Sequence, residues 1–515
     1  MSSATGTDFR DPDTEANTEH TPLLSDPSPA PGTDHPEDVT LRSRLRLEVI
    51  VLSFVVVFLL ELGAGIVVAP TNAIMESIIC RHLYPDELPS SIVQDAIRHF
   101  AGGILLVDDP ICKSPQVQGE LAMLKAWGFT FECIPGFLLA VPYGMLSDKW
   151  GRKPVMLLSL LGVILGQIFT DFVFLFSDFI PLWATWFTAA FEIIGGGFPI
   201  MVAMLYTVLA DVLAISERAT VFLQLSAAFL TSQMIAGPLG GILMIRDPWV
   251  PLLVSLGCFF LAGLAICVLP ETLHTHDSKN GNLEEAAGPS TVKLGQKIRA
   301  GVGDLSEFIL GNPSLCFLMF SLTFVILGRY VGEILLQYAT KRYGWSWSDA
   351  SIVLTIRNAV SLLTMLVVMP VASRLCLQRL GMTGMAKDLW LARLSGIIAV
   401  IGCVIIAAAA NGSLFSVGLV WFALGAAMPP LIRSLVNNMV EEHHIGTVNT
   451  LVGFMETAGL TIAGPVLAKS LGVGLNLGGP WVGLPFFTAA SFFAISCTIL
   501  WTFRLSDGGH LSVNP

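Results

Sequence analysis

Twelve apolar runs, each long enough to cross a bilayer, decide what this chain can become. They cover 47–72, 121–146, 154–172, 181–209, 219–245, 250–269, 313–339, 351–372, 389–410, 413–440, 447–471 and 480–501. About 20 apolar residues span the hydrocarbon core as a helix. A polar linker at 274–312 separates six runs from six. The expectation is an all-α membrane protein whose twelve transmembrane helices form two six-helix bundles, at 46–273 and 313–504. A disordered tail at 1–45 and a short tail at 505–515 flank them.

Composition agrees. Hydrophobic residues make up 53% of the 515 positions and charged residues 13%, where a soluble domain would carry roughly 25% charged. The net charge of −11 comes mostly from the first 40 residues, which hold nine acids and one base. That stretch is rich in Pro, Ser, Thr and Asp and without periodicity, so disorder is expected. It has no basic start and no early apolar core, unlike a signal peptide. No basic stripe suggests nucleic acid as a partner. Lys and Arg set orientation. Arg42, Arg44, Arg46, Lys149, Arg152 and Lys153 fall on one side, against Arg81, Arg98, Lys113 and Lys125 on the other. The excess predicts both termini in the cytosol.

The halves echo each other. Ala219-Thr220-Val221 leads to Ile235-Ala236-Gly237-Pro238 on span five, and Gly446-Thr447-Val448 leads after the same gap to Ile462-Ala463-Gly464-Pro465 on span eleven. On span four, Gly195-Gly196-Gly197-Phe198-Pro199 matches Gly425-Ala426-Ala427-Met428-Pro429 on span ten. Both matches lie six spans apart, which reads as a duplicated six-helix unit. Parallel repeats of this kind put a substrate site near the midplane, between the halves.

Between spans two and three lies the loop Gly144-Met-Leu-Ser-Asp148-Lys-Trp-Gly151-Arg152-Lys153-Pro154. Gly144 would allow close backbone approach and Gly151 a tight turn. Asp148 can cap a helix N-terminus, and Arg152 can pair with a carboxylate, for which Asp211, ahead of Glu217-Arg218, is the candidate. This loop resembles that of the major facilitator superfamily of secondary transporters, whose motif Gly-x-x-x-Asp-x-x-Gly-Arg-(Arg/Lys) is matched at every position. The resemblance extends over nearly the whole chain. It implies two pseudo-symmetric bundles and a charge latch made of Gly144, Asp148, Gly151, Arg152, Lys153, Asp211 and Arg218. The plainer alternative is a basic loop that only sets topology.

Ionisable residues inside a membrane are costly and face a bundle interior or a wet cavity. Glu61, Glu132, Glu192, Arg329, Glu333 and Glu456 fall near span middles, and Arg357 and Arg433 nearer span ends. The middles of spans three, six, nine and twelve carry none, and in the superfamily fold those four are peripheral. A carboxylate in a low-dielectric cavity can exchange protons, so Glu61, Glu132 and Glu192 are coupling candidates. Arg329 and Glu333, four apart, would neutralise each other on one helical face. Substrate or proton coupling is thus expected from Glu61, Glu132, Glu192, Arg329, Glu333, Arg357 and Glu456, with a structural hydrogen bond as the alternative for each carboxylate.

Gly237-Pro238-Leu239-Gly240-Gly241 resembles the antiporter signature Gly-Pro-x-x-Gly-Gly with one residue missing. It is equally a tightly packed helix. Pro270-Glu271-Thr272-Leu273, common in the superfamily, marks the exit into the linker. A long outer loop is expected from about 73 to 120. Cys80 and Cys112 are the two of the nine cysteines it holds, and an oxidising compartment would bridge them. Cys133, Cys258, Cys267, Cys316, Cys403 and Cys497 read as small core residues. This loop, with Val117-Gln-Gly-Glu-Leu-Ala122, Pro135-Gly136 and Pro142-Tyr-Gly144, resembles a group of fungal facilitators, which implies a filamentous-fungal source and an organic substrate.

Three weaker marks remain. Glu19-His-Thr-Pro-Leu23-Leu24 fits a sorting signal for an endosomal or vacuolar route. Asn411-Gly-Ser413 is a glycosylation sequon, close to the membrane. Glu441-Glu-His443-His444 reads as a solvated loop and no metal is expected. There is no phosphate loop, no His-Glu-x-x-His and no nucleophile elbow, so neither an enzyme nor a cofactor is expected. The reading is a monomeric secondary transporter with a small-molecule substrate and protons, exporting a secondary metabolite or drug, at the plasma membrane or else a vacuolar one. Proton-linked nutrient uptake, vacuolar loading and a non-transporting sensor are the alternatives; the short tail after Arg504 gives a signalling partner little room.

Overall fold

A computed structural model of the protein describes residues 36–85, 110–213, 215–272, 313–439, 445–505 and 511–513. The linker, the sorting-signal match and the Glu441–His444 loop lie outside the described residues. Among the described residues, eleven stretches are long and apolar enough to cross a membrane: Arg44–Leu83, Arg152–Leu175, Leu182–Val212, Gln224–Met244, Trp249–Val268, Ser314–Tyr343, Trp347–Gln378, Gly384–Ala408, Gly412–Asn438, Met455–Leu477 and Gly479–Thr502. They take the places of expected spans one and three to twelve. The second place is held by α3, Pro115–Trp150, a helix of 36 residues that carries Glu120, Lys125 and Glu132 and is not among the eleven. It is about 54 Å long at 1.5 Å per residue.

Span one is two helices, α1 (Pro36–Ile66) and α2 (Val68–Leu83). The start of α1 falls within the stretch whose composition suggests disorder. Pro36 suits the first position of a helix, since proline needs no donor there. The joint at Val67 lies three residues before Pro70, whose ring disfavours a continuous helix. Helix through Leu83, and again from Pro115, shortens the expected outer loop at both ends; Lys125 stands on α3, not in a loop.

Span three is α4 (Arg152–Leu175). Span four is interrupted: a 3-10 turn over Leu182–Phe187, α5 (Thr188–Glu192) and α6 (Gly197–Val212). Spans five and six are α7 (Ile215–Met244) and α8 (Trp249–Val268). Span seven divides into α9 (Pro313–Arg329) and α10 (Val331–Tyr343). Span eight joins α11 (Trp347–Leu363) to α12 (Met369–Gln378) through a π turn at Thr364–Val368, just ahead of Pro370. Span nine is α13 (Gly384–Ala408). Span ten is α14 (Gly412–Leu424), a 3-10 turn at Gly425–Ala427 and α15 (Met428–Asn438). Spans eleven and twelve are α16 (Ile445–Leu477) and α17 (Leu484–Thr502). A ribbon follows, β1 (Phe503–Leu505) antiparallel to β2 (Leu511–Val513).

The interruptions have a pattern. Spans four and ten break at the matching glycine segments, so the internal repeat is a repeat of structure. Spans three, six, nine and twelve, expected at the periphery, run unbroken. Their exposed faces are apolar at helical spacing: Leu253, Phe260, Leu261 and Leu264 on α8, and Leu394, Ile397, Ile401 and Val404 on α13. Such stripes suit lipid.

The halves meet along two pairs of spans, α3 with α16 and α7 with α11. The repeated glycines lie there. A Cβ on Gly237 would come within 3.5 Å of the Ser351 carbonyl, and one on Gly464 within 3.2 Å of the Ala126 carbonyl. Gly240, on another side of α7, faces Ile66 of span one, whose carbonyl would lie 2.2 Å from a Cβ. The antiporter-like segment therefore lets α7 approach two neighbours at backbone distance, which dispersion rewards. One apolar core, with Ile74, Leu121, Leu322 and Tyr338, runs through both halves. A second, with Val56, Leu60, Met156 and Leu205, belongs to the N-terminal half.

Candidate functional site

At the α3–α4 joint, Gly151 takes φ +105°, a left-handed conformation that glycine adopts without strain. A Cβ there would sit 2.5 Å from Glu271 Oε2. Glu271 uses that space to accept from the backbone N–H groups of Arg152 (2.9 Å) and Lys153 (3.1 Å), capping the start of α4, where the dipole favours an anion. Arg152 Nε lies 3.5 Å from Asp211 Oδ2, and its Nη1 donates to Ser147 Oγ at 2.8 Å. Thr272 Oγ1 donates to the same Asp211 oxygen at 3.2 Å. Lys153 Nζ reaches the Cys267 carbonyl. Arg152, Lys153 and Asp211 are thus gathered together. The side chains of Asp148 and Arg218 lie outside the described residues. Gly144 has open space where a Cβ would be, so the expected close approach there does not occur. Its carbonyl accepts from Ser147 Oγ at 2.7 Å.

A cavity of about 550 Å³ opens between the halves. Phe129 of α3 and Phe229 and Gln233 of α7 line one side; Arg329, Tyr330, Glu333, Arg357, Asn358 and Glu456 line the other, with Phe422 and Phe493. The expected Arg329–Glu333 pair does not form. The helix breaks between them at Tyr330, so they are no longer on one continuous face. Glu456 pairs instead with Arg433, at 2.8 Å. Glu333 lies within electrostatic reach of Lys125. Arg357 donates to Asn358 Oδ1 through Nε (3.2 Å) and Nη2 (3.1 Å). A Cβ on Gly332 would lie 2.5 Å from Arg357 Nη1, so this guanidinium rests where only glycine leaves room.

Glu61 is 3% exposed and accepts from Gln233 Nε2 at 2.8 Å. The Gln233 carbonyl accepts from Asn358 Nδ2 at 3.4 Å, so two amides link the buried acid of span one to the cavity arginine of span eight. Glu132 and Glu192 influence each other. Glu192 stands beside the span-four interruption, where Gly195, Gly196 and Gly197 all have positive φ and a Cβ on Gly197 would meet the Glu192 carboxylate at 2.9 Å. Non-helical backbone at membrane depth needs partners, and side chains provide them. Tyr143 OH accepts from the Gly195 N–H (2.8 Å) and donates to the Ile193 carbonyl (2.9 Å), while Ser159 Oγ donates to the Gly195 carbonyl (2.6 Å).

At the other end of α3, Cys80 and Cys112 form a disulfide with Cα atoms 5.1 Å apart. Beside it is Glu76, 4% exposed. Its carboxylate accepts from Lys113 Nζ (2.7 and 2.8 Å), Gln118 Nε2 and Trp347 Nε1 (2.6 Å). Gln337 Nε2 donates to the Gln118 carbonyl at 2.6 Å and side chain at 3.0 Å, and Lys341 Nζ to the Lys113 carbonyl. These bonds cross from the N-terminal half to spans seven and eight. Asn411 is exposed, and its Oδ1 caps α14 at the Leu414 N–H, 2.9 Å away.

The fold, the broken repeats and the loop geometry agree with a family match. The model of the Major Facilitator Superfamily matches residues 122–464. The chain belongs to this superfamily. This facilitator is 30% identical over 502 residues to the MFS efflux pump atnC of Emericella nidulans, covering 96% of this chain and 94% of the relative. It is 30% identical over 445 residues to the efflux pump ustT of Aspergillus flavus, covering 84% of each. Among solved structures, the nucleoside transporter NupG superposes with a TM-score of 0.56 at 11% identity, over 89% of this chain and 97% of that one. A D-xylose–proton symporter gives 0.57 at 13%, over 87% and 97%. These two show the fold. The facilitator is a multi-pass membrane protein of a transporter family.

Several of its polar contacts come from residues that sequence reasoning missed. Glu76 was hidden by the assumed loop, although an acid inside the apolar stretch Ala73–Ile79 was the available signal. Glu271 sat in a motif read only as a boundary. Gln233, Asn358 and Trp347 carry no charge, and nothing in a single sequence separates them from ordinary polar residues in helices.

Proposed function

We propose that this facilitator exports a small, largely apolar organic molecule, a secondary metabolite or drug, in exchange for protons, by rocking its halves about the central cavity. The observation that carries this reading is the cavity itself: it lies at the seam, aromatic rings stand in its wall, and ionisable side chains from spans seven, eight and eleven line it. Binding sites in repeat-built transporters lie in such seams. The two efflux-pump relatives support the direction. Glu61 is the preferred proton carrier, because it is buried and joined through Gln233 and Asn358 to Arg357. Glu132 and Glu192 stand as further carriers, and Arg329, Glu333, Arg357 and Glu456 as substrate-side groups. The Lys and Arg bias puts the Arg152 face in the cytosol and the disulfide face outside, where oxidation favours a bridge. The protein works as a monomer in the plasma membrane.

The test is deletion of the gene, with metabolite profiling of medium and cells, followed by pH-driven flux of the retained compound in proteoliposomes. Glu61→Gln removes the exchangeable proton and keeps the hydrogen-bonding shape. Flux driven by a pH gradient should fall at least tenfold while downhill counterflow persists. Full pH-driven flux in Glu61→Gln removes Glu61 from this role, and unchanged profiles after deletion refute export.

A further inference from the structure

The cavity's positive charges are not all spent. Glu456 is taken by Arg433 at 2.8 Å, and Glu333 lies within electrostatic reach of Lys125. Glu132, across the seam, acts on Tyr330 and Glu192 and does not line the cavity. Arg329 is exposed in the cavity wall and makes no hydrogen bond or ion pair among the described residues. Arg357 has a neutral partner, the Asn358 amide, at 3.1–3.2 Å. Its guanidinium rests against Gly332, one turn of chain beyond Arg329. Arg329 also feels the field of Glu456, and Arg357 that of Glu333, but those acids are shared with Arg433 and Lys125. Two guanidinium groups thus flank the break in span seven, both facing the cavity and neither with a carboxylate at ion-pair distance among the described residues. Around them stand the rings of Phe129, Tyr330, Phe422 and Phe493, with Phe129 and Tyr330 edge to face at 5.2 Å.

We infer that the cargo is an organic anion: an aromatic or polycyclic body bearing one ionised acid group, a carboxylate or an acidic enol, held by Arg329 with Arg357 beside it. An arginine fork matches a planar anion in bidentate fashion. The rings bury the apolar body, which an isolated phosphate or a small hydroxy acid would not need. This inference rests on the cavity's being the transport site, and narrows the cargo by charge.

The test uses three fluorescent probes with one ring system: pyrenecarboxylate, its methyl ester and pyrenylmethylammonium. Affinity is read by fluorescence titration of the purified full chain. Charge-assisted hydrogen bonds predict that the acid binds about tenfold to hundredfold tighter than the ester, with the ammonium weakest. Arg329→Gln should collapse the acid-to-ester ratio to near one, and Arg329→Lys, a point charge without the fork, should keep part of it. Melting temperature and monodisperse elution check that the variants fold, and the wild-type ratio decides even if they do not. Equal affinities, a preference for the ammonium, or no measurable binding of the acid would overturn the inference. Flux separates it from the export reading: an anion preference without pH-driven movement keeps the site assignment and sinks transport, whereas flux favouring the ester does the reverse.

Discussion

Two faces of the molecule are each organised by one carboxylate, but the donors differ in kind. At the disulfide face, Glu76 gathers side chains from both halves: Lys113 and Gln118 from its own, Trp347 from the other. At the loop face, Glu271 gathers backbone N–H groups of α4, and Arg152, Asp211, Ser147 and Thr272 complete a cluster within the N-terminal half. Glu271 and its backbone donors lie in the same bundle, whereas Glu76 draws the Trp347 donor from the opposite one. The first carboxylate therefore joins parts that could separate, and the second builds a single part. The cores follow the same division: one runs through both halves and takes in Ile74 and Leu121 near Glu76, while the other stays within spans of the N-terminal half.

The largest effect should come from breaking the cross-half cluster. Glu76→Ala leaves the half-buried Lys113 ammonium and the buried Trp347 N–H without this acceptor. Removing one partner of a fully buried pair costs about 3–5 kcal/mol, an upper bound here because water reaches Lys113. Because the second removal then takes away an already orphaned charge, Glu76→Ala with Lys113→Ala should cost less than the sum of the two by about 1 kcal/mol or more. Unfolding in mixed SDS micelles would measure all three. Strict additivity would show that the lysine is not held by the carboxylate. The double substitution Gln118→Cys with Gln337→Cys adds a geometric readout, since cross-linking of the two introduced thiols should fall when Glu76→Ala is added.

How much of this was legible beforehand follows from what each residue advertises. Apolar length exposed the spans, and a polar linker divided them. The paired motifs on spans four and ten revealed the duplication; that the same glycine segments interrupt both helices is a structural finding which the reading of continuous spans did not contain. Arg152 and Asp211 were readable because a charge at a span end needs a partner. Arg329 and Glu333 misled because their spacing assumes unbroken helix, and no proline or glycine stands at Tyr330 to announce the break; Gly332 follows it. Glu76 escaped because helix boundaries blur where a span runs past the bilayer. The Glu61–Gln233–Asn358 link needed three spans brought together in space, which spacing along one chain does not encode.

A middling effect is expected at Gly151. Gly151→Ala places a Cβ at φ +105° and against the Glu271 carboxylate, a strain of about 1–3 kcal/mol. The comparison of faces predicts where that strain stays. In the background carrying Gln118→Cys and Gln337→Cys, cross-linking should hold in Gly151→Ala and fall in Glu76→Ala. Loss of cross-linking in both would mean that the two faces are coupled through the static fold rather than separately fastened.

The smallest effect tests whether the loop-face cluster is one unit. Thr272→Val keeps the shape of the side chain and removes the hydroxyl that donates to Asp211 at 3.2 Å. One net hydrogen bond is worth about 0.5–1.5 kcal/mol. Asp211 still has Arg152, 3.5 Å away, a separation at the long end for a charged contact. If the hydroxyl helps to hold Asp211 for that arginine, the cost of Arg152→Ala should be smaller in the Thr272→Val background than in the wild type, measured by the same micelle unfolding. Identical costs in the two backgrounds would leave the threonine a bystander and reduce the cluster to Glu271 on its helix start and an independent Arg152–Asp211 pair.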